Sequence, residues 1–559
     1  MVFGVLLCLC GIALLVIFRP IIFTLVIENK VPLKQYDDGS YNEAASKWAT
    51  PAYKTVMQFW VFDVTNTHEI LYNAAKPRLI EKGPYGFRQT DIKRNISFSR
   101  NGTYVVYRNY RTWYWDKEYS CDSCEMTDTV TVPNLVYLGA VSTILSQVDQ
   151  SKQCDGCANP IKLMDLALLL LGEEPFITVQ VGELLFTGYQ DPFVGIEHLL
   201  HKFAPSLLPD GTPDMTKMAF FYGYNGTDDG EYMITTGQDD VYNVGQILEW
   251  HGHSTLDWWQ NAAANKLRGS PDGSLFKPFL TKSDTLPIWL SYWCRSLDLV
   301  YQEDTKVRNV DVTRFMVPND IFANSNTSGY RPPSSLPLPP NGLMYVPCQP
   351  GRNIKIQFAT YYSAPHFLNC PPEIVNSIYG MHPDPVAHQL GHWDMEMLTG
   401  SNMGVQFRLQ INIPFHKHQN FTMLRNLPHH VQYIPLMWLN DTAFIDDDTY
   451  DEIKDDAVIL FIGAYVAFGL AVLIGVLLFL FCCCFFYKAS RKENRLEPVQ
   501  VPIPAPRYIT TQTPVVYSTE KYTDSSPTYK QANSEMKSQG SGLRRYYDVQ
   551  VDGETDSKM

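Results

Sequence analysis

The segment VQFRLQINI, Val405 to Ile413, alternates apolar and polar residues without interruption. Because successive side chains of a strand point to opposite faces, one face of this segment would be apolar and the other polar. The pattern is typical of a β-strand with one buried face. Similar runs occur at Tyr104 to Trp115, at Met218 to Tyr224 and at Ile354 to Phe358. Together these runs predict a large antiparallel sheet or barrel.

Residues 134–204 interrupt the strand pattern. Ile196, Leu199 and Phe203 follow the i, i+3, i+7 spacing of an amphipathic helix. Ile161 to Leu171 is apolar on nearly every side but is too short to cross a bilayer. Such a helix is buried by its neighbours or faces a hydrophobic ligand or lipid, and we favour burial in a small bundle. The chain is therefore predicted to have an α+β fold, with helices inserted into a β-structure.

Two long apolar segments near the chain ends have the length of membrane-spanning helices. Ala457 to Tyr487 contains no charged residue, and about 20 helical residues cross a bilayer core. The apolar segment within residues 1–27 lacks the basic start and the small-residue cleavage site of a signal peptide, so we predict an uncleaved anchor. The predicted parts are an N-terminal transmembrane anchor (1–27), an extracytoplasmic domain (28–456, with a helical apex at about 134–204), a C-terminal transmembrane helix (457–487) and a disordered cytoplasmic tail (488–559).

The charges beside the second apolar segment predict its orientation. Lys488, Arg491 and Lys492 follow the segment, whereas several aspartates precede it within residues 446–456. The positive-inside rule then places both termini in the cytoplasm and residues 28–456 outside. We expect the plasma membrane as the location, with an endosome or lysosome as the alternative. All the Asn-x-Ser/Thr sequons fall in the outside region, and we expect glycans on surface turns at Asn95, Asn101, Asn225, Asn326, Asn420 and Asn440.

The cysteines divide by location. Thiols in or beside the apolar segments are candidates for palmitoylation, and these are Cys8, Cys10, Cys482, Cys483 and Cys484. The others lie in the outside region: the CxxC pairs Cys121/Cys124 and Cys154/Cys157, and a group of three, Cys294, Cys348 and Cys370. The CxxC pairs would suggest zinc in a cytosolic protein, but in an oxidising compartment we expect disulfides. Because the last group is odd in number, one of its thiols stays free or pairs across the groups.

Composition and motifs argue against nucleic acid binding and catalysis. A net charge of -13 does not provide the concentrated basic surface that nucleic acid requires. The sequence has no G-x-S-x-G, no H-E-x-x-H and no phosphate-binding glycine loop, so we expect no enzyme activity and no cofactor. His388 and His392 are spaced i, i+4, with Asp394 nearby, but Pro383 and Pro385 make the entry to this segment irregular. We therefore expect no metal site there.

Several longer stretches resemble the class B scavenger receptor family, over essentially all of residues 1–487. They are QFWVFDVTNTHEIL (Gln58 to Leu71), KGPYGFR (Lys82 to Arg88), FFYGYNGTDDGEYMITTG (Phe220 to Gly237), EWHGHSTLDWW (Glu249 to Trp259), CRS (Cys294 to Ser296), PHF (Pro365 to Phe367), GMHPDPVAH (Gly380 to His388) and LTG (Leu398 to Gly400). The resemblance implies an antiparallel β-barrel with a helical bundle at its membrane-distal apex, anchored at both chain ends. It also implies a hydrophobic tunnel that carries lipid to the bilayer without a chemical step.

The same resemblance suggests particular site residues. The apical ligand contacts that match are Lys152, Lys162, His198, His201 and Lys202, and they lie beside acidic residues at Glu173, Glu174 and Glu183. This mixture of charges argues against recognition of strongly anionic ligands. Cys294 matches a bridging cysteine of the family, for which Cys348 is the favoured partner and Cys370 the alternative.

Two functions remain open at this point. The first is a receptor that binds lipids (fatty acids, sterols or phospholipids) or lipoprotein particles and transfers lipid to the membrane. The second is a sorting or adhesion receptor that grips a protein with its helical apex. In the tail, Tyr546 to Val549 fits an adaptor-binding sorting motif, and Ser557 to Met559 fits a PDZ-binding terminus.

Overall fold

The computed structural model describes residues 28–147, 159–203, 214–324, 329–332, 337–349, 351–352, 360–446, 450–451, 466, 469–470, 472–488 and 491. The predicted N-terminal anchor, 12 of the 31 residues of the predicted C-terminal span and nearly all of the predicted tail lie outside these residues. The described part of the C-terminal span is helical over 472–487. Within the described ranges no single helix combines the length and the apolarity needed to cross a bilayer.

A large sheet dominates the described residues. It contains fourteen strands, and a separate sheet pairs two more. In chain order the strands are β1 (Tyr53–Val64), β2 (Leu79–Phe98), β3 (Tyr104–Trp115), β4 (Thr129–Pro133), β5 (Phe176–Gln180), β6 (Thr227–Thr235), β7 (Ile247–Trp250), β8 (Ser270–Pro271), β9 (Leu286–Leu290), β10 (Arg295–Val307), β11 (Val310–Met316), β12 (Met344–Tyr345), β13 (Tyr361–Ser363), β14 (Gly391–Met395), β15 (Asn402–Phe415) and β16 (Gln432–Ile445).

The strand order almost closes the large sheet into a barrel. The order is β7-β6-β3-β2-β1-β16-β15-β14-β11-β10-β9-β8, with β12 and β13 attached beside β15. At the two edges, the Ile247 amide of β7 donates a 2.9 Å hydrogen bond to the Gly269 carbonyl just before β8. All the pairings are antiparallel except that of β8 with β9. The predicted barrel is thus a nearly closed, mixed sheet rather than a purely antiparallel one.

The alternating segment Val405 to Ile413 forms the centre of β15. Its apolar side chains Val405, Phe407 and Leu409 face the barrel interior, as the alternation predicts. The polar residues Gln410 and Asn412 were expected to face solvent, yet both have zero exposure. They are buried because β13 packs beside β15, and the Asn412 amide donates to the Ser363 hydroxyl at 3.0 Å.

One predicted strand is wrong. Met218 to Tyr224 forms turns after a single β-bridge at Met218, which pairs with Tyr189. Gly223 and Gly226 both have φ of 74°, a left-handed conformation that an extended strand does not use. The alternating aromatic residues of this segment therefore belong to a turn and not to a strand. Phe221 of this turn packs on Phe186. The predicted run Ile354 to Phe358 lies outside the described residues.

The helices are short, and three of them lie within residues 134–204. In chain order the described helices of the body are α1 (Glu43–Ala49), α2 (Thr67–Asn73), α3 (Leu135–Gln147), α4 (Pro160–Leu171), α5 (Pro192–Phe203), α6 (Ala262–Asn265) and α7 (Pro372–Val375). The Asn159 side chain accepts from the Ile161 amide at the start of α4, and Gly172 ends this helix in a left-handed conformation. The β4–β5 ribbon and a π-helical turn, Glu183–Thr187, accompany these three helices.

Candidate functional site

The barrel encloses a cavity of about 370 Å³. Strands β1, β2, β3, β15 and β16 supply most of its wall. The β15 side of the wall is mostly apolar, with Val405, Phe407, Leu409 and Ile411, and begins with the polar Asn402. A volume in this range, with mostly apolar walls and a few polar groups, is typical of small-molecule sites.

The wall formed by β2 and β3 is polar in the middle of the cavity. Along the inner face of β3, Asn109 and Arg111 lie between Tyr107 and Trp113, and all four line the cavity. Asp91 and Lys93 are the corresponding inward residues of β2. Strand alternation places all of these side chains on one face, because they share the same parity along each strand. The cavity wall therefore carries buried charge, which the family resemblance does not imply.

Arg111 is the centre of a buried ion cluster. Its Nε lies 3.0 Å from the Asp91 carboxylate, and its Nη1 lies 3.1 Å from that of Asp229. Its Nη2 pairs with Asp272. Burial by itself would lower the pKa of Arg111, but the carboxylates of Asp272 and Asp229 outweigh it and hold the guanidinium charged.

Asp229 is fixed by neutral donors as well as by Arg111. Its Oδ2 accepts from the Tyr232 hydroxyl at 2.6 Å and from the Ser291 hydroxyl at 2.8 Å. The Trp250 indole donates to the Asp229 backbone carbonyl at 2.9 Å. Asp229 lies in FFYGYNGTDDGEYMITTG and Trp250 in EWHGHSTLDWW, two of the stretches that carry the family resemblance. The structure therefore assigns these motif residues to one structural network behind the cavity wall.

Several polar groups on the cavity wall lack such partners. Among the described residues, no hydrogen-bond partner reaches Asn109 Oδ1, Asp441 Oδ1 or the indole nitrogens of Trp293 and Trp393. Lys93 Nζ makes no hydrogen bond or ion pair within the same part of the chain. Burial lowers the pKa of Lys93 to about 8. Burial, with Asp91 as the next cause, raises the pKa of Asp441 to about 7. Polar groups in such positions are expensive when unsatisfied, so a bound molecule would stabilise them.

An aromatic cluster adjoins the cavity, and two of its members, Trp113 and Phe221, line the cavity wall. Phe186, from the π-helical turn, lies 4.8 Å from Phe87 and 5.4 Å from Phe221 between ring centroids. Phe59 and Trp113 complete the cluster at 6.2 and 5.7 Å from Phe186. Thr50, Pro51 and Tyr53, just before and at the start of β1, also line the cavity. These residues are close along the chain to the predicted N-terminal membrane segment.

The histidines considered as metal ligands occupy separate environments. The His388 ring stacks on His366 at 4.3 Å, and burial lowers the pKa of His388 to about 4. His392 Nε2 is 3.8 Å from Asp394, whose carboxylate is held by Arg314 at 2.7 Å. Within the part of the chain that the structure describes, no cluster of His, Cys, Asp or Glu has the arrangement of a metal site.

Most of the predicted glycosylation sites that the structure describes are exposed. Asn95, Asn101, Asn225 and Asn420 are exposed, as glycan attachment requires, and Asn326 lies outside the described residues. Two positions differ from the expected surface turns. Asn95 lies within β2, although it is exposed, and Asn440 lies within β16 and is only 8% exposed. The palmitoylation candidates Cys482, Cys483 and Cys484 lie on the helix at 472–488, whereas Cys8 and Cys10 are outside the described residues. Glycosylation and acylation stay predictions.

Two disulfides are present among the described cysteines. They join Cys121 to Cys124 and Cys294 to Cys348. Cys370 is a free thiol, and burial raises its pKa to about 12. The pairing of Cys294 agrees with the favoured alternative of the sequence analysis. Cys154 and Cys157 lie outside the described residues.

The structure separates the predicted apical contacts. Lys162 on α4 and Lys202 on α5 are exposed, whereas His198 is held at 2.6 Å by Asp214 and His201 Nε2 is buried. Lys152 is outside the described residues. The helix at Ile161 to Leu171 was expected to be buried all round, but only part of it is. Ile161 and Leu168 are buried, and an exposed apolar face is formed by Leu163, Leu166, Leu169 and Leu170 of α4 with Ile196, Leu199 and Phe203 of α5.

A buried carboxyl pair connects the three apical helices. Asp191 caps α5 by accepting from the Phe193 and Val194 amides. Asn134 caps α3 and donates to Glu173 at 3.0 Å, just after α4. Burial raises the pKa of Glu173, and the nearby Asp191 charge raises it further. The pair therefore favours the state in which a proton is bound.

Glu173→Gln should make the stability of the protein less dependent on pH. Because the folded-state pKa of Glu173 lies above its unfolded value, the folded state binds the extra proton. Its contribution is then fully present below pH about 4.5 and is lost as pH rises through the folded pKa, at about 1.4 kcal/mol per pH unit for each proton. Thermal unfolding of the detergent-solubilised protein between pH 5 and 8 would measure this slope. The adjacent, exposed Glu174→Gln is the matched control, and equal slopes for both variants would contradict the assignment.

Comparisons with known proteins agree with the fold and the motifs. The family model described as the CD36 family matches residues 2–486. Lysosome membrane protein 2 of Homo sapiens is 30% identical over 82% of this chain and 88% of its own length. Scavenger receptor class B member 1 of Sus scrofa is 26% identical over 88% of this chain and 91% of its own. An uncharacterized protein of Caenorhabditis elegans is 31% identical over 80% and 88%. Because the family model matches nearly the whole chain up to residue 486, and the fold is a nearly closed barrel, the chain belongs to the CD36 family, which is the class B scavenger receptor family.

Proposed function

We propose that this chain is a membrane receptor that binds lipids or lipoprotein particles and passes lipid to the bilayer through the barrel cavity. The observation that carries the proposal is the cavity of about 370 Å³ with its mostly apolar wall on β15. Withdrawing an acyl chain from water contributes about 0.8 kcal/mol per CH₂. An apolar passage therefore lets lipid move without exposure to water, and no catalytic group is required.

The ends of the cavity fit this direction of transfer. Tyr53 and Ala443 line the end at which β1 begins and β16 finishes. These are the strand ends nearest along the chain to the predicted anchors at 1–27 and 457–487. Lipid that entered beside the aromatic cluster would leave near the membrane surface. Two-span anchoring, with residues 28–456 at the cell surface or in an endosomal or lysosomal lumen, is part of the proposal.

Ala443→Trp should block the cavity. Ala443 pairs with Thr55 on β1 and with Val405 on β15, and all three line the cavity. An indole at this position occupies space that an acyl chain would need. We expect uptake of labelled fatty acid or cholesteryl ester to fall about tenfold, the equivalent of losing roughly two buried CH₂ groups. Uptake is measured in cells at matched surface levels of the protein.

Phe444→Trp is the matched control. Phe444 is the next residue of β16, and it points away from the cavity with 41% exposure. This variant adds bulk to the outside of the same strand and should leave uptake unchanged. If Ala443→Trp takes up lipid as well as Phe444→Trp does, transfer through the cavity is rejected.

The apical surface supports a second candidate, a sorting or adhesion receptor. The exposed apolar face of α4 and α5 includes Leu170 at 78% and Phe203 at 81% exposure. Exposed apolar side chains grouped on a helix face are typical of protein contact surfaces. Unimpaired lipid uptake by Ala443→Trp would favour this candidate, because its function does not require an open cavity.

A further inference from the structure

We propose that the cavity selects an amphiphile with a cationic head, such as a long-chain amine, and that Asp441 receives this head. The inference rests on the proposed lipid-binding function and specifies the ligand class of the same cavity. It depends on the balance of buried charges, on the polar groups that lack partners, and on the position of Asp441 between apolar walls.

The charges around the cavity do not balance. Four carboxylates, those of Asp91, Asp229, Asp272 and Asp441, line the cavity or lie directly behind its wall, whereas the cations are Arg111 and Lys93. Arg111 already pairs with three of these carboxylates. In a desolvated site, surplus negative charge is costly unless a cation compensates it. A bound cation would supply the missing compensation.

Asp441 is the carboxylate that the cluster leaves out. It lies on β16, opposite Phe407 of β15 and Met57 of β1, and these neighbours offer no polar side-chain group. Its Oδ1 is buried, and no donor among the described residues reaches it. Asp91 and Asp272 act on Asp441 as like charges, and Arg111 acts on it as an opposite charge. A ligand ammonium beside Asp441 would be attracted by three carboxylates and repelled by one guanidinium, which already pairs with Asp91 and Asp272.

The Asn109 amide is an independent sign of a missing ligand. Asn109 is only 6% exposed and lines the cavity. Its Oδ1 is buried without a donor in the described part of the chain. Buried amide groups in native proteins are nearly always hydrogen-bonded. A ligand group that donates hydrogen bonds would satisfy this acceptor.

Lys93 is the strongest argument for the opposite choice, a carboxylate head. Its ammonium makes no ion pair within the described residues and lies 5.5 Å from the centre of the Trp48 ring. However, Asp91, Asp272 and Asp229 all raise its pKa against the effect of burial. Lys93 therefore already offsets part of the surplus negative charge. An anionic head would add to that surplus, whereas a cationic head reduces it.

The apolar walls suit the rest of such a ligand. The β15 side chains provide a path for an alkyl chain towards the aromatic cluster at Phe221. Trp113 lines the same cavity, and aromatic faces stabilise ammonium groups by cation–π attraction. Head and tail thus have complementary surfaces within one cavity.

The test compares three ligands with the same tail. Oleylamine, oleyl alcohol and oleic acid are titrated at neutral pH against the full-length chain in neutral detergent, and each displaces a fluorescent fatty alcohol. We expect the amine to bind about tenfold more tightly than the acid, the factor typical of one charge-assisted contact. Asp441→Asn should lower the ratio of amine to alcohol affinity by about the same factor. Lys93→Met should strengthen amine binding, because it removes a like charge.

The outcomes separate this inference from the proposed function. If the acid binds most tightly and Lys93→Met abolishes that binding, the cavity is a carboxylate site and the inference is overturned. An unchanged amine-to-alcohol ratio in Asp441→Asn also overturns it. If none of the three ligands binds, or if Ala443→Trp binds all three as the wild type does, the cavity is not a lipid site and the proposed function itself fails.

Discussion

Arg111→Met is expected to destabilise the barrel by about 3–5 kcal/mol, because it leaves buried carboxylates without their cation. The substitution keeps most of the apolar length of the side chain but removes all three ion pairs. Asp229, at 3% exposure, cannot turn towards water to recover the loss. The free energy of unfolding or the thermal midpoint of the detergent-solubilised protein would report the change.

Arg88→Met is the comparison for this effect. Arg88 also pairs with an aspartate, Asp116, at 2.5 Å, but its side chain is 62% exposed. An exposed pair contributes about 0–1 kcal/mol, so this variant should remain close to wild type. The Arg111 variant should also regain stability at acid pH, where the orphaned carboxylates take up protons. If the two arginine variants lose similar stability, Arg111 does not hold the cavity wall together.

The fold was largely predictable because its strongest signals are local. Strict alternation identified β15, and a similar run at Tyr104 to Trp115 matched β3. The error at Met218 to Tyr224 arose because the same aromatic spacing serves a turn that packs against the apical π-helical turn. Local pattern shows that a residue is buried, but it does not show whether its partner comes from a neighbouring strand or from another part of the chain.

The cavity wall was harder to predict, although one signal was present. The inward face of β3 reads Val105, Tyr107, Asn109, Arg111 and Trp113, with two polar residues on an otherwise apolar face. Polar residues on a predicted buried face mark either a structural network or a ligand site. Arg111 belongs to a structural network, since Asp272 reaches it from the turn just after β8 and Asp229 reaches it from β6. The sequence alone could not predict that these distant aspartates meet at Arg111, because the order of the strands in the sheet decides where they lie.

Replacing both Cys294 and Cys348 with alanine should destabilise the body by about 4 kcal/mol. The two cysteines are 54 residues apart, so their bond restricts a long loop of the unfolded chain. Both are fully buried, and alanine removes the sulfur atoms without adding a polar group. Cys370 cannot replace the missing partner readily, because burial keeps its thiol protonated at neutral pH. Denaturant unfolding of the non-reduced protein would measure the loss.

The Cys121–Cys124 bond provides the matched comparison. Its cysteines are 3 residues apart, so removing it should cost only about 2 kcal/mol if restriction of the unfolded chain is the main effect. The prediction concerns the difference between the two double variants, because each loses one disulfide and gains two alanines. Equal losses would show that loop length does not control the effect. A larger loss from the short loop would mean that local strain or packing at Cys121, and not chain entropy, decides how much a disulfide stabilises this body.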